Sequence, residues 1–273
     1  MKEYLNSEPW KVDPGLLPIP WRDGLAELQE PTRKLKVAFV IDDGVVLPQP
    51  PITRAISYIR DLFDRFGHQT STWSHASTHR SAYYDLWLPS VLADGGKRCA
   101  DLCAQGGGQP LIEGMLVGQP SDEMNVAQRQ AHAEKIYDYQ LQYLKQWEDS
   151  DIDAIIMPVM PWISYKPKQW VQSNQYVGYS SVWNLVDYAA LAAPSGCVVE
   201  REKDDPTKVK HWAEHEKRNP SDEYNWNQFD LDLVEGMPVP VQIIGGRFGE
   251  ETCVMVAKVL EEMRRKDMEK RGS

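Results

Sequence analysis

The most informative segment of this sequence is an apolar run, Leu35-Lys36-Val37-Ala38-Phe39-Val40-Ile41, which ends at Asp42-Asp43-Gly44. Its length and its branched side chains predict a buried β-strand that a turn closes. Apolar residues then recur at helical spacing from Ile52 to Phe66, until Gly67 ends the pattern. Residues 69–73 offer a second strand. A strand, a helix and a strand in this order predict a right-handed crossover.

The alternation of strands and helices continues along the chain. We expect a long helix from Met124 to Trp147 and a buried strand from Asp153 to Val159. Two later strands are expected at residues 196–199 and 239–244, and a charged helix from Glu250 to about Lys266 follows them. Because strands alternate with helices, the sequence predicts an α/β fold.

Proline and charge divide the chain into regions. Residues 1–34 are expected to form a proline-rich arm that resists regular structure. The prolines of this arm are Pro9, Pro14, Pro18, Pro20 and Pro31. Residues 35–273 are expected to form a single domain. Within it, residues 200–222 are dense in Lys, Asp, Glu and Pro, and this composition predicts a solvated insertion.

The charge balance argues against two classes of partner. The sequence has 30 basic and 40 acidic residues, which gives a net charge of -10. Nucleic acid and anionic membranes would therefore be repelled. No apolar run approaches the roughly 20 residues that a membrane helix needs, and the first residues lack the apolar stretch of a signal peptide. We expect a cytoplasmic protein that binds neither nucleic acid nor membranes.

The sequence points to no metal or organic cofactor. His75 and His79 lie four residues apart and could meet on one helix face, but no third ligand can be assigned, which favours a structural or surface pair. Gly106-Gly107-Gly108 does not follow a predicted strand, as a nucleotide-binding fingerprint requires. The four cysteines are too few for a disulfide scaffold, and we expect them to be reduced.

Three motifs stand in a fixed order along the chain. They are Asp42-Asp43-Gly44 with Pro48-Gln49-Pro50-Pro51-Ile52-Thr53-Arg54-Ala55, then Asp153-Ala154-Ile155-Ile156-Met157-Pro158-Val159 with Gly178-Tyr179-Ser180-Ser181-Val182-Trp183-Asn184-Leu185-Val186-Asp187-Tyr188, and finally Gly236-Met237-Pro238-Val239-Pro240-Val241-Gln242-Ile243-Ile244-Gly245 with Glu250-Glu251. Together they resemble the C-terminal half of amidase-signature hydrolases, in the fungal acetamidase-like branch. The resemblance implies an α/β/α sandwich around a mixed sheet.

The resemblance also implies a catalytic apparatus that this sequence is expected to lack. Such enzymes use a nucleophilic Ser, a bridging Ser and a Lys base, and the two serines sit in a glycine-flanked loop. That loop is expected upstream of Met1, so the chain is interpreted as truncated. Ser180-Ser181 is not expected to replace it, because Val182-Trp183 stands where a close backbone approach would need glycine.

Four residues are candidates for acid–base chemistry, namely Asp42, Asp43, Asp187 and Tyr188. Asp42 and Asp43 end a buried strand, and ligand crevices form at the carboxyl ends of strands in open α/β sheets. One of the two carboxylates would offer a general base if its pKa is raised. The alternative is a turn that merely needs Asp and Gly.

A polar and aromatic cluster surrounds Asp187. The resemblance implies that this stretch lines a substrate pocket together with a nearby strand. The expected substrate-binding residues are Tyr176, Tyr179, Trp183, Asn184 and Gln242. The alternative is that Trp183, Leu185 and Tyr188 are core anchors with satisfied polar tips. Pro240 departs from the family pattern, in which glycine commonly precedes the Gln, and this puts an unchanged pocket in doubt.

These observations leave three functional hypotheses. The first is a triad-less amidase descendant that binds a small organic molecule and catalyses isomerisation, cyclisation or elimination in specialised metabolism. The second is an amide hydrolase whose N-terminal catalytic half is supplied by another chain or is missing from this sequence. The third is a non-catalytic interaction protein. Because half a sandwich leaves apolar sheet surface, a homo-oligomer or another partner is expected to cover it.

Overall fold

A mixed sheet of five strands organises the molecule. The computed structural model describes residues 1–26, 33–112, 114–169 and 176–272. The strands are β1 (Lys36–Phe39), β2 (Gln69–Thr72), β3 (Ala154–Pro158), β4 (Ala189–Val198) and β5 (Pro238–Gly246). They lie in the order β2-β1-β3-β5-β4. Neighbours β2, β1 and β3 run parallel, whereas β5 is antiparallel to both β3 and β4. The expected α/β fold with a mixed sheet is confirmed.

Helices connect and cover these strands. In chain order they are α1 (Lys2–Asn6), α2 (Asp23–Ala26), α3 (Pro50–Arg65), α4 (His79–Ser81), α5 (Leu88–Leu92), α6 (Lys97–Gln105), α7 (Val126–Asp149), α8 (Gly178–Val186), α9 (Lys210–Ala213), α10 (Pro220–Gln228), α11 (Leu231–Val234) and α12 (Glu250–Gly272). A π-helix spans Ala82–Trp87. Within the described ranges, no helix has both the length and the apolarity that a membrane span requires.

The ends of the main helices follow from local sequence. Pro50 and Pro51 occupy the first positions of α3, where a missing N–H costs nothing. Gly67, at φ +77°, follows the end of α3 in a left-handed conformation that suits glycine. At the start of α7, the Asn125 side chain accepts a hydrogen bond from the Gln128 N–H at 2.9 Å, and the Gln128 side chain accepts one from the Asn125 N–H at 2.8 Å.

The central strands are covered on both faces, because their side chains alternate between two apolar cores. Val37, Phe39 and Ile156 pack with Ile243 in an apolar core that α3 and α12 complete. Residues of the opposite parity, such as Ala38 and Met157, face a second core that contains aromatic side chains of α7 and α8. Alternate residues of a strand point to opposite faces, so the central strands read as continuous apolar runs.

The described part of the 1–34 arm is more regular than its prolines suggest. Residues 27–32, including Pro31, lie outside the described residues. Before them the chain forms α1, a 3₁₀ turn at Pro9–Lys11 and α2. The segment is held to α12, because the Arg22 N–H donates to the Glu251 carboxylate at 2.8 Å and Lys258 donates to the Ala26 carbonyl at 2.8 Å. The prediction of a segment without regular structure was therefore wrong for these three short helices, whereas residues 12–22 contain no helix or strand.

One corner of the sheet remains uncovered in the described part of the chain. Strand β4 begins at Ala189 rather than at the expected residue 196. It is the last strand of the sheet, and it pairs with β5 in a register that places Ala192 opposite Gln242 and Pro194 opposite Pro240. Five residues of β4 and β5 on one face of the sheet are exposed here, and we call them the open corner. They are Ala190, Ala192, Pro194, Pro238 and Pro240.

Candidate functional site

The loop after β1 is held by a buried carboxylate. Asp43 is only 3% exposed, and its carboxylate accepts hydrogen bonds from the N–H groups of Val45 at 2.8 Å and Val46 at 3.2 Å. The hydroxyl of Tyr176 donates to the other carboxylate oxygen. Tyr179 completes the arrangement, because its hydroxyl accepts from the Asp43 N–H at 3.2 Å and donates to the Val46 carbonyl at 2.8 Å. Three predicted site residues therefore meet here.

Burial governs the acid–base properties of this group. Removal from water raises the pKa of Asp43 to about 6, although the hydrogen bonds from Tyr176 and from the Val45 and Val46 N–H groups act in the opposite direction. Burial, and then the nearby Asp43 charge, raises the pKa of Tyr176. The pKa of Asp43 is thus raised, as a general base requires. However, protein groups occupy the hydrogen-bonding positions of its carboxylate, and this geometry fits a structural role in stabilising the turn.

Asp42 faces a different partner. Arg218 donates two hydrogen bonds to its carboxylate, at 2.8 and 2.6 Å, in the bidentate geometry that guanidinium groups favour. This interaction raises the pKa of Arg218. The Asp42 carboxylate also accepts from the Gly44 N–H at 2.8 Å. Asp42 therefore ties the loop after β1 to the segment between α9 and α10.

Residues 200–222, expected to form a solvated insertion, are mostly exposed, but they include four buried residues, Asp204, Trp212, Ser221 and Asp222. Asp222 is 1% exposed; its carboxylate accepts from the Leu47 N–H at 2.8 Å and lies 2.6 Å from Nε2 of His215. Asp204 is fully buried, and Arg54 donates to it twice at 2.7 Å. Trp212 is also buried. The insertion is therefore solvated over most of its length but anchored at Asp204 and Asp222, because these two carboxylates bind residues distant in sequence.

Sequence reasoning missed the asparagines that complete this contact. The Asn219 side chain caps α10 by accepting from the N–H groups of Ser221 and Asp222, and it donates to the Val45 carbonyl at 2.7 Å. Asn225 donates to the Leu47 carbonyl at 2.7 Å. The signal was present, because Asn219 followed by Pro220 is a helix-start pattern.

Gln242 links the sheet to α8. It is buried, and its side-chain N–H₂ donates to the carbonyls of Pro158 and Tyr179, both at 2.7 Å. Both N–H donors of the amide are therefore used inside the protein. The residue lies beside the open corner, as its pairing with Ala192 requires, and it fixes α8 against β3.

Trp183 and Tyr188 belong to a separate aromatic core. The Trp183 ring lies 5.5 Å from His79 and 6.0 Å from Tyr143 between centroids, and Tyr188 packs edge-on against Trp147 at 5.2 Å. Burial raises the pKa of Tyr188 to about 12. The indole N–H of Trp183 and the hydroxyl of Tyr188 find no hydrogen-bond partner within the described residues. The geometry supports the core-anchor alternative for their rings, but its expectation of satisfied polar tips was wrong for these two residues.

Asp187 and Asn184 lie at the surface. Asp187 ends α8 in a left-handed conformation, at φ 58°, and its carboxylate lies 3.5 Å from the Arg247 guanidinium. It borders a cavity of about 320 Å³ that the N-terminal segment also lines, through residues such as Leu17 and Trp21. Asn184 is exposed on α8. The four predicted catalytic residues are therefore divided among the loop after β1, the aromatic core and the surface.

The histidine pair and the serine pair do not form sites of their own. His79 is buried against the Tyr143 hydroxyl at 3.0 Å, whereas His75 packs against Trp73. Across the described ranges there is no group of three or more His, Cys, Asp and Glu residues that could hold a metal ion. Ser180 lies in the first turn of α8, where its hydroxyl donates to the Val177 carbonyl at 3.2 Å. All four cysteines are free thiols.

Two adjoining cavities open beside the open corner. The smaller, of about 300 Å³, is lined by Ile52, Val159, Met160, Trp162, Ile163, Ser164, Tyr165 and Pro240. The larger, of about 440 Å³, is lined by Ile163, Ser164, Ala192, Ala193, Pro194, Met237, Pro238, Val239 and Pro240. Both cavities are mainly apolar, as small-molecule sites usually are. Of the predicted site residues only Gln242 lies near this region, and Pro240, which the sequence analysis noted as a departure from the family pattern, lines both cavities.

Comparisons with known proteins agree with this architecture. The Amidase family model matches residues 1–254. An acetamidase from Aspergillus oryzae is 28% identical over 96% of this chain and 48% of its own length, and an acetamidase from Emericella nidulans is 29% identical over 94% and 46%. A solved fatty acid amide hydrolase superposes with a TM-score of 0.79 at 22% identity, covering 96% of this chain and 45% of that one.

The matched region is a different share of this chain and of each relative. The chain spans about half the length of the curated relatives it matches. The resemblance therefore extends over nearly all of this sequence and over only part of each relative. Because the family model matches residues 1–254, which is most of the sequence, the chain belongs to the amidase family.

Proposed function

We propose that this chain is the part of an amide hydrolase that shapes the substrate groove, and that the nucleophile and base lie on residues outside this sequence. The observation that carries the proposal is the pair of apolar cavities beside the open corner, on a chain that matches about half of each amidase relative. The relatives' names supply the reaction class, which is amide hydrolysis.

The geometry does not favour the alternative of non-hydrolytic acid–base chemistry. A base must reach the proton it removes, usually within hydrogen-bond distance. Asp43 is enclosed by Tyr176 and backbone N–H groups, and Asp42 is paired with Arg218. Asp187 is accessible, but its nearest charged partner is Arg247 at the protein surface. None of these carboxylates lines the two cavities beside the open corner.

The open corner supports a further part of the proposal. The apolar side chains and the outer edge of β4 would be covered in the working enzyme, because exposed strand edges promote association. The proposed cover is the catalytic portion of an amidase, and a second copy of this chain would occupy the same edge when that portion is absent. We also propose a cytoplasmic setting.

Hydrolysis of a simple amide tests the function. Ammonia release from acetamide is measured for the purified 273-residue chain and for the native species captured from its source cells with an antibody against this chain. A fluorophosphonate probe reports reactive serine in both samples. The proposal expects hydrolysis and labelling in the native species alone. Turnover by the isolated chain, or a native species that neither reacts nor hydrolyses amides, would contradict it.

A further inference from the structure

The two cavities beside the open corner share one wall. Ile163, Ser164 and Pro240 line both of them. Pro240 lies on β5 directly opposite Pro194 of β4, and it is exposed. Since residues two apart in a strand point to the same face, its ring stands on the same side of the sheet as Gln242. Pro240 therefore stands, with Ile163 and Ser164, where the two spaces meet.

The chemistry of the walls selects the kind of group that fits. Among the described residues that line the two cavities, none is Asp, Glu, Lys, Arg or His. The polar side-chain groups are the hydroxyls of Ser164 and Tyr165 and the indole N–H of Trp162. A charged ligand would lose its hydration here without gaining a counter-charge, whereas an uncharged alkyl group would lose nothing. The walls therefore fit the apolar part of a neutral amide.

We infer that Pro240 is a specificity-determining residue, which divides one apolar groove into two subsites and limits the length of the uncharged alkyl group that the groove accepts. The inference rests on the proposed function, because it takes the ligand to be an amide. The smaller subsite, enclosed by Ile52 and Trp162, holds the alkyl group. Replacing Pro240 with glycine removes the ring and joins the two subsites.

Direct binding to the 273-residue chain tests this inference without turnover. Isothermal titration calorimetry is carried out with butanamide, hexanamide and octanamide, and with hexanoate and hexylamine as charged probes of matched length. Each buried methylene is expected to tighten binding about fourfold. For the wild-type chain, affinity rises from butanamide to hexanamide and then levels off at octanamide. Both charged probes bind at least about tenfold more weakly than hexanamide.

Two matched variants identify the residue responsible. In Pro240→Gly, affinity continues to rise, and octanamide binds at least about fivefold more tightly than hexanamide. Pro14→Gly is the control, because Pro14 is exposed in the N-terminal segment and lines neither cavity. It should keep the wild-type pattern. Unfolding midpoints in urea, measured without ligand, verify that both variants fold.

Several outcomes would overturn the inference. It fails if the wild-type chain binds none of the amides, if the two proline variants respond alike, or if hexanoate binds as tightly as hexanamide. These results are separate from the hydrolysis test. A native species that does not hydrolyse acetamide would refute the proposed function even where the chain-length pattern is found. A native species that does hydrolyse it, without that pattern, would refute only the role of Pro240.

Discussion

The carboxylate of Asp43, in the loop after β1, is buried and can lose its charge by taking up a proton. It is fixed by two backbone N–H groups and by Tyr176, and burial raises its pKa to about 6. The folded protein therefore holds this proton to a higher pH than the unfolded chain does. Such a group stabilises the fold below its ordinary pKa, and that stabilisation is lost as the pH rises through the folded-state pKa.

Asp43→Asn should remove this dependence while keeping an acceptor for the two N–H groups. Between pH 4 and pH 7, the free energy of unfolding of the wild-type chain should fall relative to the variant, by on the order of 3 kcal/mol. Urea unfolding at both pH values measures the difference. Asp42→Asn serves as the control, since the Asp42 carboxylate faces Arg218 at the surface side of the loop. An identical pH dependence for wild type and Asp43→Asn would contradict the assignment.

At the scale of elements, the segment that contains α9 and α10 holds the loop after β1 in place through hydrogen bonds. Asn219 performs two tasks, because it caps α10 and also donates to the Val45 carbonyl at 2.7 Å. Asn125 performs only the first task, at the start of α7. The two asparagines therefore separate the contribution of a helix cap from that of a contact between elements.

Asn219→Ala should destabilise the chain more than Asn125→Ala does. Loss of an asparagine cap typically costs about 1 kcal/mol. The loss at Asn219 also leaves the part-buried Val45 carbonyl without this donor, which adds about 1–2 kcal/mol. Chemical denaturation of both variants measures the two costs. Equal effects would show that the contact with Val45 contributes nothing to stability.

Local patterns explain which elements were predictable. Strand β1, helix α3 and strand β3 follow from apolar periodicity, which depends only on neighbouring residues. The alanine-rich start of β4 carries no such signal, and Pro194 interrupts it. The burial of Asp204 by Arg54 joins residues 150 positions apart, so composition alone placed it in solvent. The loop after β1 was found as a candidate site, but its enclosure by Tyr176 was not predictable from spacing.

At the scale of the whole molecule, the open corner determines how the isolated chain should behave. Strand β4 is the last strand of the sheet in the described structure, and Ala192 and Pro194 are exposed on it. An exposed apolar edge strand can associate with other strands, and a charge placed on it opposes association.

Ala192→Lys should therefore reduce self-association of the isolated chain. Sedimentation equilibrium should give an association constant at least about tenfold lower for this variant than for the wild type. Ala133→Lys, on the exposed surface of α7, provides a control with the same change of charge. A wild-type chain that stays monomeric at high concentration, or equal effects of the two variants, would be evidence against self-association through the edge of β4.

The most direct measurement for the central claim is the mass and peptide content of the native species that carries this sequence. It is captured from source cells and analysed by denaturing mass spectrometry and peptide mapping. We expect this sequence either within a polypeptide about twice the 31.2 kDa of this chain or together with a second polypeptide of similar size that carries a reactive serine. A single species of 31.2 kDa without any other polypeptide would contradict the account.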